Sequence, residues 1–308
     1  MTNSTRADSV ANAGSRYAIK TFFDKDTFTL TYVVSDPKSR DCVVIDSVLD
    51  YDPAASSVSE HSIIELTNWL RSERLTVRMI LETHAHADHV SGSQELVQRF
   101  PDAKVAIGER ITSVQKVFAK VFEMPADFHT DGRQFDRLLK DGEVVSAGTV
   151  SFKVLFTPGH TPACASYLFD DAVFTGDALF MPDYGTGRCD FPEGDAATLY
   201  DSITTRLYTL PDSTRVFTGH DYMPQGRGLR FESTIGEEKK TNIQLRAETT
   251  REQYIKFRTD RDKTLSAPRL LLPSVQINID AGHLPPLTAK GNRMLRIPLD
   301  VSRLAPKK

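Results

Sequence analysis

The run Thr83-His84-Ala85-His86-Ala87-Asp88-His89 carries three imidazoles and one carboxylate within seven residues. This is a spacing of metal ligands and not a packing pattern. On an extended segment alternate side chains point to the same side, so His84 and His86 should project together. The turn that follows can bring Asp88 and His89 to a neighbouring position. The run therefore predicts a metal centre, and by itself it allows two adjacent metal sites built from one loop.

Three later segments share a second arrangement, in which an apolar strand ends at a glycine and a residue able to bind metal follows at once. Each glycine permits a sharp turn beside a crowded site, so each ligand is held at a strand end. Any one of these residues alone would more often be a hydrogen-bonded turn residue. Together with the first run they are predicted to complete the site. The residues are His160 after Gly159, Asp177 after Gly176 and His220 after Gly219.

The elements that must position these residues alternate between strands and helices. Residues 27–34 and 42–46 predict a β-hairpin, and the apolar stripe of residues 58–74 predicts an amphipathic helix before the ligand-bearing strand. A second helix is predicted at 109–122, followed by short strands between 143 and 175, a helix at 195–210 and a strand at 215–218. The two halves share this order of elements. We therefore expect an α/β (α+β) protein in which two mixed sheets pack face to face between helices, a four-layer αββα sandwich.

The chain divides by composition into three parts. Residues 1–16, rich in Ser, Thr, Asn and Ala, are expected to form a disordered tail. Residues 17–225 hold all the candidate ligands and are expected to form the catalytic domain. Residues 226–308, which include a charged helical pattern from 247 to 258, are expected to form a C-terminal extension packed on that domain.

Composition limits the partners and the compartment. The 308 residues carry a net charge of −3, which gives no basic excess for binding nucleic acid. No apolar stretch approaches the roughly 20 residues that cross a bilayer, so no membrane association is expected. Only three cysteines occur, Cys42, Cys164 and Cys189, and none lies in a CxxC pair. A disulfide framework is therefore not expected, and a cytoplasmic location fits best.

The ligand pattern resembles that of the metallo-β-lactamase-fold superfamily, in which an HxHxDH motif is followed by a later His, Asp and His. The resemblance spans residues 21–222 and implies the αββα fold, but it is less specific for the reaction, because this scaffold carries hydrolases, lactonases, nucleases and oxygenases. Segments 82–89, 185–191 and 219–222, with the acidic segment 234–238 and Asn242, are more specifically similar to the persulfide dioxygenase (sulfur dioxygenase) family. Cys189 departs from that family, which more usually has Thr there.

The resemblance to persulfide dioxygenases implies one Fe(II) per chain, bound by His84, His160 and Asp177. Zinc or manganese are other occupants expected in purified protein. Two histidines and one carboxylate leave coordination positions open for a persulfide sulfur and for O2. The implied reaction converts glutathione persulfide, O2 and water to glutathione and sulfite. The remaining ligand-type residues would then orient ligands and water for catalysis or form a vacant second metal site; they are His86, Asp88, His89 and His220.

Two further residues are candidates for substrate binding. Arg188 lies in a glycine-rich loop, and a guanidinium can bind a glutathione carboxylate through two parallel hydrogen bonds, although a structural ion pair is an equal expectation. Tyr222 follows His220 by two residues and is a candidate to cap the pocket or to contact the substrate, with a buried structural role as the alternative.

Other functions stay open at this point. A dizinc hydroxyacylglutathione hydrolase of the glyoxalase II type would use all the candidate ligands and attack S-lactoylglutathione with a bridging hydroxide. A lactonase or β-lactam hydrolase is a more distant alternative, and a non-catalytic metal-stabilised binding protein would need fewer ligands. The loop around Arg188 and the acidic segment after His220 favour the dioxygenase. The sequence does not fix the oligomeric state, for which a homodimer is one expectation.

Overall fold

Two six-stranded sheets pack face to face in the computed structural model of the protein, which describes residues 15–299. The first sheet contains, in spatial order, β1 (Ala18–Phe23), β2 (Leu30–Ser35), β3 (Asp41–Ile45), β6 (Thr76–Glu82), β8 (Lys104–Gly108) and β9 (Arg137–Leu139). The second contains β10 (Val144–Ala147), β11 (Val150–Phe156), β12 (Ala165–Phe169), β13 (Ala172–Phe174), β14 (Arg215–Phe217) and β15 (Glu232–Thr234). A small third sheet joins β4 (Val48–Asp52), β5 (Ser57–Ser59) and β7 (Val90–Ser91).

Helices cover the outer face of each sheet. Those packed on the first sheet are α1 (His61–Ser72), α2 (Ser93–Arg99), α3 (Ile111–Val121) and α7 (Leu271–Asn278). Those packed on the second sheet are α4 (Ala196–Ser202), which continues as a π-helical turn over Ile203–Leu207, α5 (Ile235–Thr241) and α6 (Arg251–Asp262). The order of layers is helix, sheet, sheet, helix.

The alternation of side chains along the strands explains this layering. On β2, Tyr32 and Val34 belong to the apolar core shared by the two sheets, whereas Val33 between them packs toward the helices. Because side chains of a strand alternate between its two faces, a strand buried on both faces is apolar throughout. The predicted four-layer αββα fold is confirmed.

The strand ends that carry the candidate ligands lie at one edge of the sandwich. In the first sheet β3, β6, β8 and β9 are parallel, and in the second β13 and β14 are parallel. The carboxyl ends of β6, β13 and β14 each lead directly into a ligand segment. Backbone hydrogen bonds join the two sheets there, from Ala165 to Thr83 and from Leu30 to Gly219, both at 2.9 Å. Ligands distant in sequence thus meet at one site.

The expected tail and extension are only partly described. Residues 1–14 of the tail and 300–308 of the extension lie outside the described residues. The Ser15 hydroxyl donates to Asp171 at 2.9 Å, so the chain is packed on the second sheet from that residue onward. Within residues 15–299 there is no helix long and apolar enough to cross a membrane.

Candidate metal centre

Residues 83–89, here called the metal loop, follow β6 without regular secondary structure, yet they are almost completely buried. Buried polar groups need hydrogen-bond partners, and Asp46, at the end of β3, supplies them at the start of the loop. Its two carboxylate oxygens accept from the backbone N–H of Thr83 at 2.7 Å and from the Thr83 hydroxyl at 2.8 Å. The parallel pairing of β3 with β6 therefore fixes where the loop begins.

His84, His160 and Asp177 form one group of possible ligands, with one ligand atom from each lying within 4.8 Å of the others. His160 Nδ1 lies 2.7 Å from the carbonyl oxygen of Arg188. Since a carbonyl only accepts, Nδ1 carries the proton and Nε2 keeps its lone pair for a metal. Nδ1 of His84 contacts the Thr83 hydroxyl at 3.0 Å, and its Nε2 has no hydrogen-bond partner. The two histidines thus both present Nε2.

A second group consists of His86, Asp88, His89 and His220, again with ligand atoms within 4.8 Å of one another. His220 Nε2 lies 2.9 Å from Asp88 Oδ2 and 3.3 Å from Asp177 Oδ1. The other oxygen of Asp177, Oδ2, lies 3.7 Å from His160 Nε2. Asp177 therefore stands between the two groups and has one oxygen directed to each.

Two buried carboxylates, those of Asp46 and Glu82, lie beside His86 of the metal loop and form with it a third group of possible ligands. His86 Nε2 lies 3.0 Å from Asp46 Oδ1 and 3.7 Å from Glu82 Oε2. Burial raises the pKa of both carboxyl groups. A carboxylate behind a metal-binding histidine orients the ring and increases its basicity, so Asp46 fits the role of holding His86 in place.

The electrostatics of the site suit a bound cation. Burial lowers the pKa of His84 and His86, and it lowers that of His160 to about 4, so these imidazoles are neutral. Burial raises the pKa of Asp177 to about 7. Burial opposes the charged form of His220 too, but the carboxylates of Asp177 and Asp88 outweigh it and raise its pKa to about 10. Neutral imidazoles are the ligand form that a metal ion requires, and a bound cation would favour the deprotonated forms of Asp177 and His220.

Unpartnered polar atoms lead to the same conclusion. Buried side-chain nitrogens and oxygens nearly always have hydrogen-bond partners, and exceptions indicate a missing ion or water. Several such atoms in this one place make no hydrogen bond of regular geometry within the described residues, although His86 Nε2 and His220 Nε2 lie close to carboxylate oxygens. The atoms are Nε2 of His84, both ring nitrogens of His86, Oδ1 of Asp88, Nε2 of His89, Oδ1 of Asp177 and both ring nitrogens of His220. The donor set therefore fits a metal centre.

A cavity of about 580 Å³ opens onto the metal centre, and Asp88, His160 and Asp177 form its floor. Aromatic side chains make up much of its wall, namely Phe28, Phe180, Tyr184, Phe191, Tyr222 and Phe257. Four arginines also line it, Arg188, Arg258, Arg261 and Arg269, against two acidic residues outside the metal centre, Asp26 and Asp183. An apolar pocket with a cationic rim suits an organic anion.

Both predicted substrate residues line this cavity, but they differ in their contacts with other residues of the protein. Arg188 is bound through Nε and Nη2 to Asp190 at 2.6 and 2.7 Å, and through Nη1 to the carbonyl oxygen of Ser266 at 2.7 Å. Tyr222 stacks on His220 with ring centroids 5.6 Å apart. Arg188 is thus engaged in a structural ion pair, while Tyr222 covers the metal-site imidazole.

Sequence reasoning missed several residues that shape the site. Asp46 could have been predicted, because it directly follows the buried apolar strand β3, as the candidate ligands follow their strands. Arg261 could not have been predicted, because it is one of several charged residues in a polar helix. Burial raises the pKa of the Cys189 and Cys164 thiols, that of Cys164 to about 12, which disfavours the reactive thiolate form. The Cys189 backbone N–H is held by Asp262 at 2.9 Å.

Comparison with known proteins agrees with this geometry. The family model for the metallo-beta-lactamase superfamily matches residues 24–220. A probable metallo-hydrolase of Burkholderia pseudomallei is 45% identical over 92% of this chain and 99% of its own. Glyoxylase B2 of Dictyostelium discoideum is 43% identical over 92% of this chain and 97% of its own. Human persulfide dioxygenase ETHE1 is 30% identical over 76% of this chain and 78% of its own.

Among solved structures, the crystal structure of ETHE1 from Myxococcus xanthus is similar, with a TM-score of 0.69 and 33% identity. The alignment covers 86% of this chain and 99% of that one. The resemblance inferred from the ligand motifs is therefore confirmed at both the sequence and the structural level. The similar proteins include both hydrolases and dioxygenases by name.

Proposed function

Because this chain belongs to the metallo-beta-lactamase superfamily, we propose that it is a persulfide dioxygenase whose single Fe(II) is bound by His84, His160 and Asp177. The reaction converts glutathione persulfide, O2 and water to glutathione, sulfite and two protons. The observation that carries the proposal is the separate grouping of two histidines and one carboxylate beneath the cavity. At such a triad iron supplies electron exchange with O2 and with a sulfur anion, which zinc does not.

The residues around the triad would bind and orient the reactants. Asp88 lines the cavity, and its Oδ1 has no hydrogen-bond partner within the described residues, so it is placed to orient the water that supplies the third oxygen of sulfite. His220 Nε2 lies 2.9 Å from Asp88 Oδ2 and 3.3 Å from Asp177 Oδ1, so it would help to orient both carboxylates. Tyr222 and Phe180 lie over His220 and keep bulk water from the reacting sulfur.

The cavity rim supports a glutathione-derived substrate, which carries two carboxylates. Arg258 is buried and bound to Asp262, and Arg188 is bound to Asp190. Arg261 is exposed and, within residues 15–299, its guanidinium has neither a hydrogen bond nor an ion pair. It is therefore the cavity arginine best placed to bind a substrate carboxylate.

A dizinc hydroxyacylglutathione hydrolase is the second candidate function. The observation in its favour is the completeness of the group His86, Asp88, His89 and His220, with Asp177 between that group and the first. Two metals bridged in this way would generate the hydroxide that a thioesterase needs. The 43% identity to Glyoxylase B2 also favours it. Both candidates place a glutathione derivative in the same cavity.

Metal analysis and oxygen uptake separate the two functions. Protein purified without air should contain about one iron per chain and should consume one O2 for each sulfite formed from glutathione persulfide. It should hydrolyse S-lactoylglutathione slowly or not at all. Two zinc ions per chain with rapid thioester hydrolysis, and no oxygen uptake after iron is restored, would overturn the proposal.

Two histidines of the metal loop provide matched variants for this experiment. His84→Gln should lose the iron and all oxygen uptake, because it removes one of three ligands. His89→Gln should keep one iron per chain and lower uptake about 10- to 100-fold, as changes beside a metal ligand do. Equal loss of metal in both variants would instead indicate that the two groups bind metal together.

A further inference from the structure

One residue of the C-terminal extension holds the backbone of the metal loop through hydrogen bonds. Asn278 is the last residue of α7 and is 4% exposed. Its Nδ2 donates to the carbonyl oxygens of His86 and His89, both at 2.8 Å, and its Oδ1 accepts from the backbone N–H of Ser91 at 2.8 Å. One amide therefore replaces the hydrogen bonds that regular structure would give to this part of the loop.

We propose that Asn278 is a positioning residue for the second group of the metal centre, setting the distance between His86 and His89 and thereby the affinity of that group for metal. The two carbonyl groups that it holds lie on either side of Ala87 and Asp88, so Asn278 fixes both ends of the segment that carries Asp88. Residue 278 lies outside residues 24–220, which the family model matches. The extension thus contributes to the metal centre without supplying a ligand.

The end of α7 is itself held firmly, which gives Asn278 a fixed position. Gln115 Nε2 of α3 donates to the carbonyl oxygen of Ile279 at 2.8 Å, and the Ser93 hydroxyl of α2 donates to that of Ala281 at 3.0 Å. Gly282 then turns the chain with φ of +82°, and a Cβ there would lie 2.7 Å from Ser93 Oγ. Such a turn requires glycine. The position of Asn278 is therefore determined by α2 and α3.

The chemistry requires an amide at this position. An aspartate has nearly the same shape, but as a carboxylate it cannot donate to two carbonyl groups and would repel them. An alanine would leave two carbonyl groups and one N–H buried without partners. Both substitutions should release the loop while leaving every metal ligand in the chain.

The test measures metal affinity separately from folding. We expect Asn278→Asp and Asn278→Ala to bind Zn(II) and Co(II) at the group His86, Asp88, His89 and His220 about 10- to 100-fold more weakly in chelator competition, and the visible spectrum of Co(II) bound there to change. Gln276→Ala is the matched control, because Gln276 lies on the same helix but donates to Leu272 and Arg296 and not to the metal loop. The control should keep the affinity and spectrum of the unmodified protein.

Two results would overturn the inference. The first is an Asn278 variant that loses thermal stability without metal but binds Co(II) with unchanged affinity and spectrum, which is the result of a purely structural role. If neither variant folds, the side-chain amide protons of Asn278 in the unmodified protein give the second readout. They should exchange more slowly with Zn(II) bound, and exchange independent of metal would contradict the inference. Neither readout depends on the reaction catalysed.

Discussion

Arg261 illustrates what a single residue contributes to substrate choice. Because its guanidinium is exposed at the cavity and has no partner within the described residues, its substitution breaks no structural ion pair. We expect Arg261→Gln to raise KM for glutathione persulfide about tenfold, the equivalent of about 1.4 kcal/mol, and to change kcat little. Steady-state oxygen uptake measures both constants. Arg246→Gln, at an exposed residue outside the cavity, is the control and should leave KM unchanged.

The outcome distinguishes Arg261 from Arg188. If Arg261→Gln leaves KM unchanged, the carboxylate is bound elsewhere on the rim and the assignment is wrong. Arg188→Gln should act differently, because the Arg188 backbone positions His160 and its side chain holds Asp190. A change in metal content is therefore expected for Arg188 and not for Arg261.

The candidate ligands were predictable from the sequence whereas the position of Arg261 was not, and the reason is physical. His84, His160, Asp177 and His220 follow strands directly, and strand ends of a layered sheet meet at one edge. Arg261 lies on α6, and its position at the cavity depends on how that helix packs. The local sequence pattern does not specify how this helix packs. The separation of the ligands into two groups likewise required the tertiary structure.

At the scale of elements, the loop between β13 and α4 shows how tightly the metal centre is packed. A Cβ on Gly187 would lie 1.9 Å from the carbonyl oxygen of Asp177 and 3.4 Å from His160 Cβ. Gly187→Ala must therefore displace the backbone beside two ligands. We expect it to lower the free energy of unfolding by about 1–3 kcal/mol and to reduce the bound metal.

Gly228→Ala is the control for this substitution, because a Cβ there would meet no atom within 4 Å and φ is not positive. Urea unfolding and metal analysis of both variants give the comparison. A Gly187→Ala protein with unchanged stability and metal content would show that the loop moves freely. In that case it could not position His160 through the carbonyl group of Arg188.

Several helices and strands were predicted correctly from the sequence, whereas one helix was not. The hairpin at 27–34 and 42–46 corresponds to β2 and β3, and the helices predicted at 58–74 and 109–122 correspond to α1 and α3. Helix α7 was not predicted from the sequence, in which Pro273 lies within the helical segment and Gly282 follows it. Pro273 falls at the third position of the helix, where its backbone N–H would have had no partner within the helix. Packing against α2 and α3 then completes the helix.

At the scale of the whole molecule, a bound metal would join the two sheets. His84 comes from the loop after β6 of the first sheet, whereas His160, Asp177 and His220 come from the second. An unfolded chain keeps these ligands apart, so a metal that binds only the folded form stabilises it by mass action. Without metal, buried carboxyl groups and imidazoles face one another with unpartnered atoms.

We therefore expect removal of the metal by a chelator to lower the free energy of unfolding by about 2.7 kcal/mol relative to protein with free metal at 100 times its Kd. Urea unfolding of the metal-free and reconstituted protein measures this difference. Hydrogen exchange should increase most in the metal loop and around His160 and Asp177, and in β2 and β3, whose ladder holds no ligand, it should increase by no more than the fall in the free energy of unfolding allows. Equal unfolding midpoints, or unchanged exchange in the metal loop, would show that the metal does not join the two sheets. The His89→Gln variant should keep most of this stabilisation, because a single iron can still bind at the first group.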